Sequence, residues 1–393
     1  MRVLVIVTAF PRSERDVISP WLWITLRELS RHGVDIEVLS AAFRGLGDTE
    51  MWGLKVRRWR YGPPFLETLS YDVAIPEQLK RNPLYYAVVP LFLSGGFLKA
   101  LSLAKSQSYD LLHVNWPIPL SLLSLPFGDT PKIMTFHHSG LTLAEKFPFL
   151  RKIYRGILEG ADAVTVNSGF TRRKLLQIFP GLRRVETIPW PPGWETESLP
   201  EVEPEEKRIL FVGRLVEVKG VEYLLRAHKL LREKFPDVKL AVVGDGPLRP
   251  RLEKLTDELG LRDSVVFTGW KTGEDIVSEY LRASLVVVPS IVDEKGLTES
   301  LGVVAIEAMA FGRPVVASDV GGLPDVVTPD AGILVPQKDP EALAGAIEKI
   351  LSDKKLAREL SEGARRRFRE HFSKEAVAAR YHKLYQEVVG EKA

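Results

Sequence analysis

Two glutamates stand eight positions apart in the stretch TESLGVVAIEAMAFGRP, residues 298–314: Glu299 at its polar start and Glu307 inside its apolar run. Carboxylates are suited to accepting hydrogen bonds from sugar hydroxyls. Eight residues of α-helix rise about 12 Å, roughly the separation between the two ends of a sugar-diphosphate-ribose unit lying along the helix. On that reading Glu299 holds sugar hydroxyls and Glu307 ribose hydroxyls. The pattern predicts a helix that begins near Ser300 to Gly302 and ends at Gly312, ahead of Pro314. The amides at its start, around Ser300, Leu301, Gly302 and Val303, together with the positive end of the helix dipole, form a place for a diphosphate. Gly302 removes a side chain that would block close approach. The plainer reading has Glu299 as a cap and Glu307 solvated, but a glutamate flanked by VVAI and AMA fits a surface poorly.

Other candidates follow strand-like runs. In FVGRLVEVKG, Gly213 permits close backbone approach, and Arg214 and Lys219 flank the turn. Two cations there suit the neutralisation of a diphosphate, although taken alone they also read as surface charges. VVGDGPLRPRL reads as a strand, a tight turn containing Gly244, and a helix with Pro247 near its start. A bare Gly-x-Gly is a weak phosphate signal, and any tight turn from strand to helix accounts for it. Trp270 is placed either to pack over a nucleobase or to sit in a core. KIMTFHHSG brings His137 and His138 to the end of a strand. No matching cluster of carboxylates or histidines lies near them in sequence, so a metal site is the weaker reading.

These residues need a scaffold, and the 393-residue length argues for two compact domains. Short β-branched runs alternate with segments of helical periodicity, which is the grammar of parallel sheets with crossover helices. The first half contains RVLVIVTA, DIEVLSA, DLLHVN, KIMTFH and DAVTVNS, and the second ILFVGR, KLAVVGDG, SVVFTGW, SLVVVPS, RPVVAS and AGILVP. The expected fold class is α/β, two Rossmann-like doubly wound domains, spanning residues 1–190 and 208–373. The proline-rich and acidic residues 191–207 read as a linker, and the C-terminal helix, about 374–393, as packing back on the first domain. In open α/β sheets ligands bind beyond the carboxyl ends of the strands, where the candidates above all fall.

Composition narrows the function classes. The 45% hydrophobic and 27% charged residues are ordinary for a globular protein, and the absence of cysteine removes disulfides, thiolate nucleophiles and cysteine metal sites. The first apolar run is of strand length with no cleavage site behind it, and reads as a buried strand rather than a signal. The stretch most like a membrane span, residues 84–104, is interrupted by Pro90, Gly95, Gly96 and Lys99, which predicts a core helix or a lipid-facing surface rather than a span. Residues 1–200 carry 24 Lys and Arg against 18 Asp and Glu, while the remainder carries 30 against 33. The basic first half suits an anionic membrane or acceptor. Basic residues and aromatics do not interleave as in a nucleic-acid module, so no nucleic acid is expected.

The segments FVGRLVEVKG, VVGDGP and ESLGVVAIEAMAFGRPVVASDVGG resemble the second domain of the retaining glycosyltransferases of family 4 (glycosyl transferases group 1), whose signature is two glutamates separated by seven residues. MTFHHSG, ADAVTVNSGFTRRKL and the C-terminal helix extend the resemblance over nearly the whole chain. It implies the GT-B fold, two Rossmann-like domains facing across a cleft, with the acceptor on the first and the nucleotide sugar on the second. It further implies that Arg214 and Lys219 stabilise the departing nucleoside diphosphate, that Glu299 contacts the donor sugar and Glu307 the ribose, and that amides around Leu301 to Val303 hold the phosphates. His137 matches the histidine that lines the reaction centre. The implied reaction is hexosyl transfer with retention from a UDP-, GDP- or ADP-linked sugar, by front-face attack and without a metal ion or other cofactor. A glycan, lipid or small-sugar acceptor follows, in a cytoplasmic enzyme that contacts the inner face of the membrane peripherally during lipid-linked or cell-surface polysaccharide synthesis. Ser19 and Pro20 stand near where many relatives carry a glycine pair, and SIVDEKGLTESLG is longer than the commonest donor loop.

Other readings are a sucrose- or trehalose-type synthase with a soluble acceptor, a nucleotide-sugar epimerase, and a catalytically silent binding subunit. An oxidoreductase is set aside, since TAFPRSERD after the first strand has no Gly-x-Gly-x-x-Gly.

Overall fold

The computed structural model describes residues 1–14, 16, 18–71, 75–137, 139–194 and 202–392, so His138 and part of the expected linker lie outside the described residues. The chain divides into two compact units, Met1–Trp194 with Lys374–Ala393, and Glu195–Ser373.

The first unit holds strands β1 (Arg2–Val7), β2 (Asp35–Ala41), β3 (Thr49–Met51), β4 (Leu54–Trp59), β5 (Leu111–Asn115), β6 (Lys132–Phe136), β7 (Ala163–Val166) and β8 (Val185–Thr187). They are ordered β3-β4-β2-β1-β5-β6-β7-β8, all parallel except the short β3. Both faces are covered, which is why β1 reads as an unbroken apolar run. Leu4 and Ile6 face one core with Phe92 and Leu123, while Val3, Val5 and Val7 face the other with Leu22 and Leu26. The helix Lys374–Gly390 adds Tyr381, Leu384 and Tyr385 to that second core. A buried polar chain pins it there, for Tyr385 Oη lies 2.6 Å from His113 Nδ1 and His113 Nε2 lies 2.6 Å from Thr135 Oγ1.

The helix expected over residues 84–104 is present, and the residues that interrupt its apolar run do not break it. The apolar stretch is a continuous helix, Tyr85–Ser106, running through Pro90, Gly95 and Gly96. The glycines serve close packing, since a Cβ on Gly95 would stand 2.3 Å from the Arg60 carbonyl oxygen and one on Gly96 2.9 Å from Leu123.

The second unit holds β9 (Arg208–Val212), β10 (Lys239–Val243), β11 (Val265–Gly269), β12 (Leu285–Val288), β13 (Val315–Ser318) and β14 (Gly332–Val335), ordered β11-β10-β9-β12-β13-β14 and parallel throughout. Counted within the unit this is the doubly wound order 3-2-1-4-5-6. Residues 202–205, expected in the linker, are bonded into this unit. Arg313 Nη2 donates to the Val202 carbonyl at 2.9 Å, and the Glu205 amide donates to that of Arg282 at 2.9 Å. The buried Arg313 also donates to the carbonyls of Tyr280 (3.0 Å) and Leu281 (2.7 Å), satisfying the end of the helix Glu274–Arg282.

Candidate active site

In the second unit the strand order reverses between β9 and β12, and their loops leave in opposite directions. Such a switch point is where open α/β sheets take ligands. The two loops are tied at their base: the Ile291 amide donates to the Val218 carbonyl at 2.9 Å. Gly220, at φ +63°, is needed because a Cβ there would meet the Pro289 carbonyl oxygen at 1.9 Å. Above this tie Lys219 Nζ donates to Glu299 Oε2, joining residues 80 apart in sequence, and both side chains keep part of their surface in solvent. Arg214 stands exposed on the same loop as Lys219, with no ion-pair partner among the described residues.

Glu299 is placed from behind by the loop after β13. The Gly322 amide donates to the Glu299 carbonyl at 2.9 Å, and a Cβ on Gly321 would stand 1.9 Å from that carbonyl oxygen. Ser290 Oγ and Thr298 Oγ1, on the segment between β12 and Glu299, are buried with no hydrogen-bond partner among the described residues. Buried hydroxyls are nearly always satisfied, so these mark a polar surface with unused capacity beside the ion pair.

The helix begins later than the sequence predicts. It spans Val303–Ala310, preceded by Gly302 at φ +89°. Glu299 to Leu301 are therefore loop, and the rise of a helix does not measure the separation of the two glutamates. Gly302 also has a different purpose from the one expected, because a Cβ there would strike Leu323 at 2.5 Å. The amides of Ala305 and Ile306 return to the Gly302 carbonyl at 2.9 and 3.3 Å, while those of Val303 and Val304 open the helix as its leading donors. Leu301 is buried, and Ser300 and Val303 are half-buried.

Glu307, one turn into the helix, is buried. Tyr280 Oη donates to its Oε2 at 2.6 Å, and the Tyr280 ring stacks on Phe311 at 4.9 Å. Burial pushes the Glu307 carboxyl up to about 8, against the opposing pull of the Tyr280 hydroxyl and the Lys219 charge. At neutral pH the carboxyl is therefore largely protonated, and it can donate as well as accept.

The two candidate glycines at strand ends bring loops together. The Gly213 amide donates to the Val243 carbonyl and that of Gly244 to the Gly269 carbonyl, each at 2.9 Å. A Cβ on Gly244 would stand 1.9 Å from the Gly213 carbonyl oxygen. Both amides are thus committed to protein carbonyls. Trp270, just beyond β11, is exposed rather than packed in a core.

His137 belongs to the first unit, at the end of β6. It is buried among Trp21, Trp116 and Trp190, whose ring centroids lie 4.8, 4.5 and 5.2 Å from its own. Its Nε2 lies 2.9 Å from Asn115 Oδ1, an acceptor that places the ring proton on Nε2. Burial, with a smaller push from His113, holds it down at about 3, so the imidazole is neutral. Among the described residues no three of His, Cys, Asp or Glu are grouped to hold a metal ion.

Tyr280, the Gly321–Gly322 pair and the tryptophan cage were not singled out by sequence reasoning. Tyr280 follows Ile276 at helical spacing and reads only as core. The tryptophans come from three separate segments that meet only in the fold.

Comparison with known proteins agrees with this geometry. The sequence matches the model of glycosyltransferase family 4 over residues 22–197 and that of glycosyl transferases group 1 over residues 195–367. A D-inositol 3-phosphate glycosyltransferase of Corynebacterium urealyticum is 38% identical over 371 residues, 84% of this chain and 81% of its own. An uncharacterized glycosyltransferase of Methanocaldococcus jannaschii is 38% identical over 193 residues, and there the match spans about half of each chain, 48%. Among solved structures, sucrose-phosphate synthase from Thermosynechococcus elongatus superposes with a TM-score of 0.72 at 25% identity, covering 99% of both chains. With two parallel doubly wound sheets and the spaced glutamates behind them, these matches show that the chain belongs to the family 4 glycosyltransferases (glycosyl transferases group 1), glycosyl-transferring enzymes of the GT-B fold.

Proposed function

We propose that the protein moves a hexosyl group from a nucleoside-diphosphate sugar to a hydroxyl acceptor with retention of configuration, the acceptor being a lipid-linked or cell-surface glycan. The observation that carries this reading is the Lys219–Glu299 pair at the switch point between β9 and β12, beside the start of the helix Val303–Ala310. Lys219 and the neighbouring Arg214 neutralise the departing diphosphate, and the amides of Val303 and Val304 bind a phosphate oxygen. Glu299, held in place by Lys219 until the donor arrives, accepts from the sugar hydroxyls, and Glu307 meets those of the ribose. The anomeric carbon–phosphate oxygen bond breaks and the bond to the acceptor oxygen forms on the same face. The acceptor's proton passes to the leaving phosphate, so the products are the glycoside and a nucleoside diphosphate. Two cations and a helix terminus supply the positive charge, and the reading needs no metal ion.

The test is the anomeric configuration of the first product, followed by proton NMR as it forms, with and without a chelator. Retention that is insensitive to chelator supports the proposal. Inversion, or activity lost with the metal and restored by it, contradicts it. The Corynebacterium relative and the sucrose-phosphate synthase favour a second reading, a small soluble acceptor, on the strength of their names alone. A phosphorylated polyol or sugar that outcompetes lipid-linked glycan would establish that reading instead.

A further inference from the structure

We propose that the first unit docks on an anionic lipid bilayer through the outward face of three neighbouring segments, the helix Tyr85–Ser106, the turn Ser121–Phe127 and the helix Pro148–Glu159. The inference deepens the lipid-linked acceptor proposed above, but its test needs no turnover. All three segments cover the same side of the sheet: Phe92, Leu123 and Leu158 join one core with Leu4, Ile6 and Met134, and the turn packs against both helices. Several of their outward side chains are large and apolar. Leu98 is 64% exposed, Leu125 52%, Phe149 60% and Ile153 54%. Among the described residues, nine large apolar side chains stand exposed between Phe65 and Ile153, against five in the whole second unit. A single exposed leucine needs no explanation, whereas a row of them along one side of a sheet marks an interaction surface.

Charge selects the occupant. No Asp or Glu occurs between Glu77 and Asp110, a span with four cations, Lys105 among them, and none occurs between Glu145 and Glu159, a span with four more, including Lys152 and Arg155. Lys99 is paired with Asp48 and Arg155 with Glu159, while Lys146 and Lys152 stand exposed among the apolar side chains. Apolar side chains interleaved with an excess of cations are the composition of an interfacial helix on anionic lipid. A second copy of the chain would bring the same positive face and be repelled. The aromatic Tyr86 and Phe149 on these segments, and Phe147 just before the third, are exposed too, in keeping with a headgroup boundary.

The experiment is flotation of the full chain with vesicles of phosphatidylcholine alone or mixed with phosphatidylglycerol, at low and high salt. The chain should float with the mixed vesicles, far less with the neutral ones, and be released by salt. Lys146→Gln with Lys152→Gln should weaken binding about thirtyfold, at about 1 kcal/mol for each cation. Leu98→Ser with Phe149→Ser should weaken it without lowering Tm, because both side chains are exposed. No flotation with the mixed vesicles overturns the proposal, as does equal flotation with both. A concentration-dependent dimer that the serine variants abolish also overturns it, making this face an interface between copies. Flotation as expected without sugar transfer to a lipid-linked glycan upholds the docking surface and removes the acceptor reading.

Discussion

Glu307→Gln removes a charge that the fold resists, and the consequence should appear as a change in how stability depends on pH. Burial raises the Glu307 carboxyl from an ordinary 4.5 to about 8. As pH rises the unfolded chain ionises first, so between those two values it binds fewer protons than the native state. Native stability therefore falls across that window. For one site with these constants, the loss between pH 5 and pH 8 is roughly 3–4 kcal/mol. At 2–4 °C per kcal/mol for a unit of this size, that corresponds to roughly 7–14 °C in Tm. Glutamine keeps an oxygen for the Tyr280 hydroxyl and has no proton to lose. Any constant cost of the substitution cancels when the two pH values are compared. Denaturant unfolding of both proteins across this range should show the variant gaining roughly 3–4 kcal/mol on the wild type from pH 5 to pH 8. A gap constant to within about 1 kcal/mol would refute the reasoning, since it would mean that Glu307 is already ionised in the native state.

Three further outcomes follow from the packing. Gly244→Ala places a Cβ 1.9 Å from the Gly213 carbonyl oxygen and should cost more than about 3 kcal/mol, while Gly345→Ala, in the helix Pro340–Ser352 with open space around it, should stabilise by about 0.5–1 kcal/mol. Equal melting temperatures for the two variants would contradict the account of these glycines. Tyr385→Phe strands His113 Nδ1 in the core and should cost about 1–3 kcal/mol in urea unfolding, and a cost near zero would remove the polar tie between the C-terminal helix and the sheet. Nitrogen NMR of His137 should show a neutral ring protonated at Nε2 down to roughly pH 4, and a titration near 6.5 would contradict its burial beneath the tryptophans.

Much of the scaffold is readable from sequence because parallel strands buried on both faces leave unbroken β-branched runs, as in RVLVIV and LVVV. The three-residue strands β3 and β8 escape by their length, and β4, LKVRRW, escapes because its charged residues break the apolar run, although Arg58 is buried and donates to Tyr71 Oη and the Pro11 carbonyl. The ion pair at the switch point lies beyond sequence reading, because Lys219 and Glu299 are 80 residues apart and meet only through strand order. The start of the helix Val303–Ala310 is misplaced for a local reason: Thr298, Glu299 and Ser300 look like capping residues, whereas Gly302 makes the turn in left-handed geometry with no side-chain cap. Residues after strand ends can be picked out because the fold class fixes where ligands go. The environment of His137 cannot, since nothing local links Trp21, Trp116 and Trp190.

The central claim is that Lys219 and Glu299 form the donor site, and nucleotide release from a panel of UDP-, GDP- and ADP-sugars tests it most directly. Wild-type protein should hydrolyse or transfer from one donor class. Lys219→Ala should lose about 10²–10³-fold in that rate and Glu299→Gln a comparable factor, both with unchanged folding. Release from the preferred donor at the wild-type rate in both variants, or no release and no binding of any donor by the wild type, would contradict it.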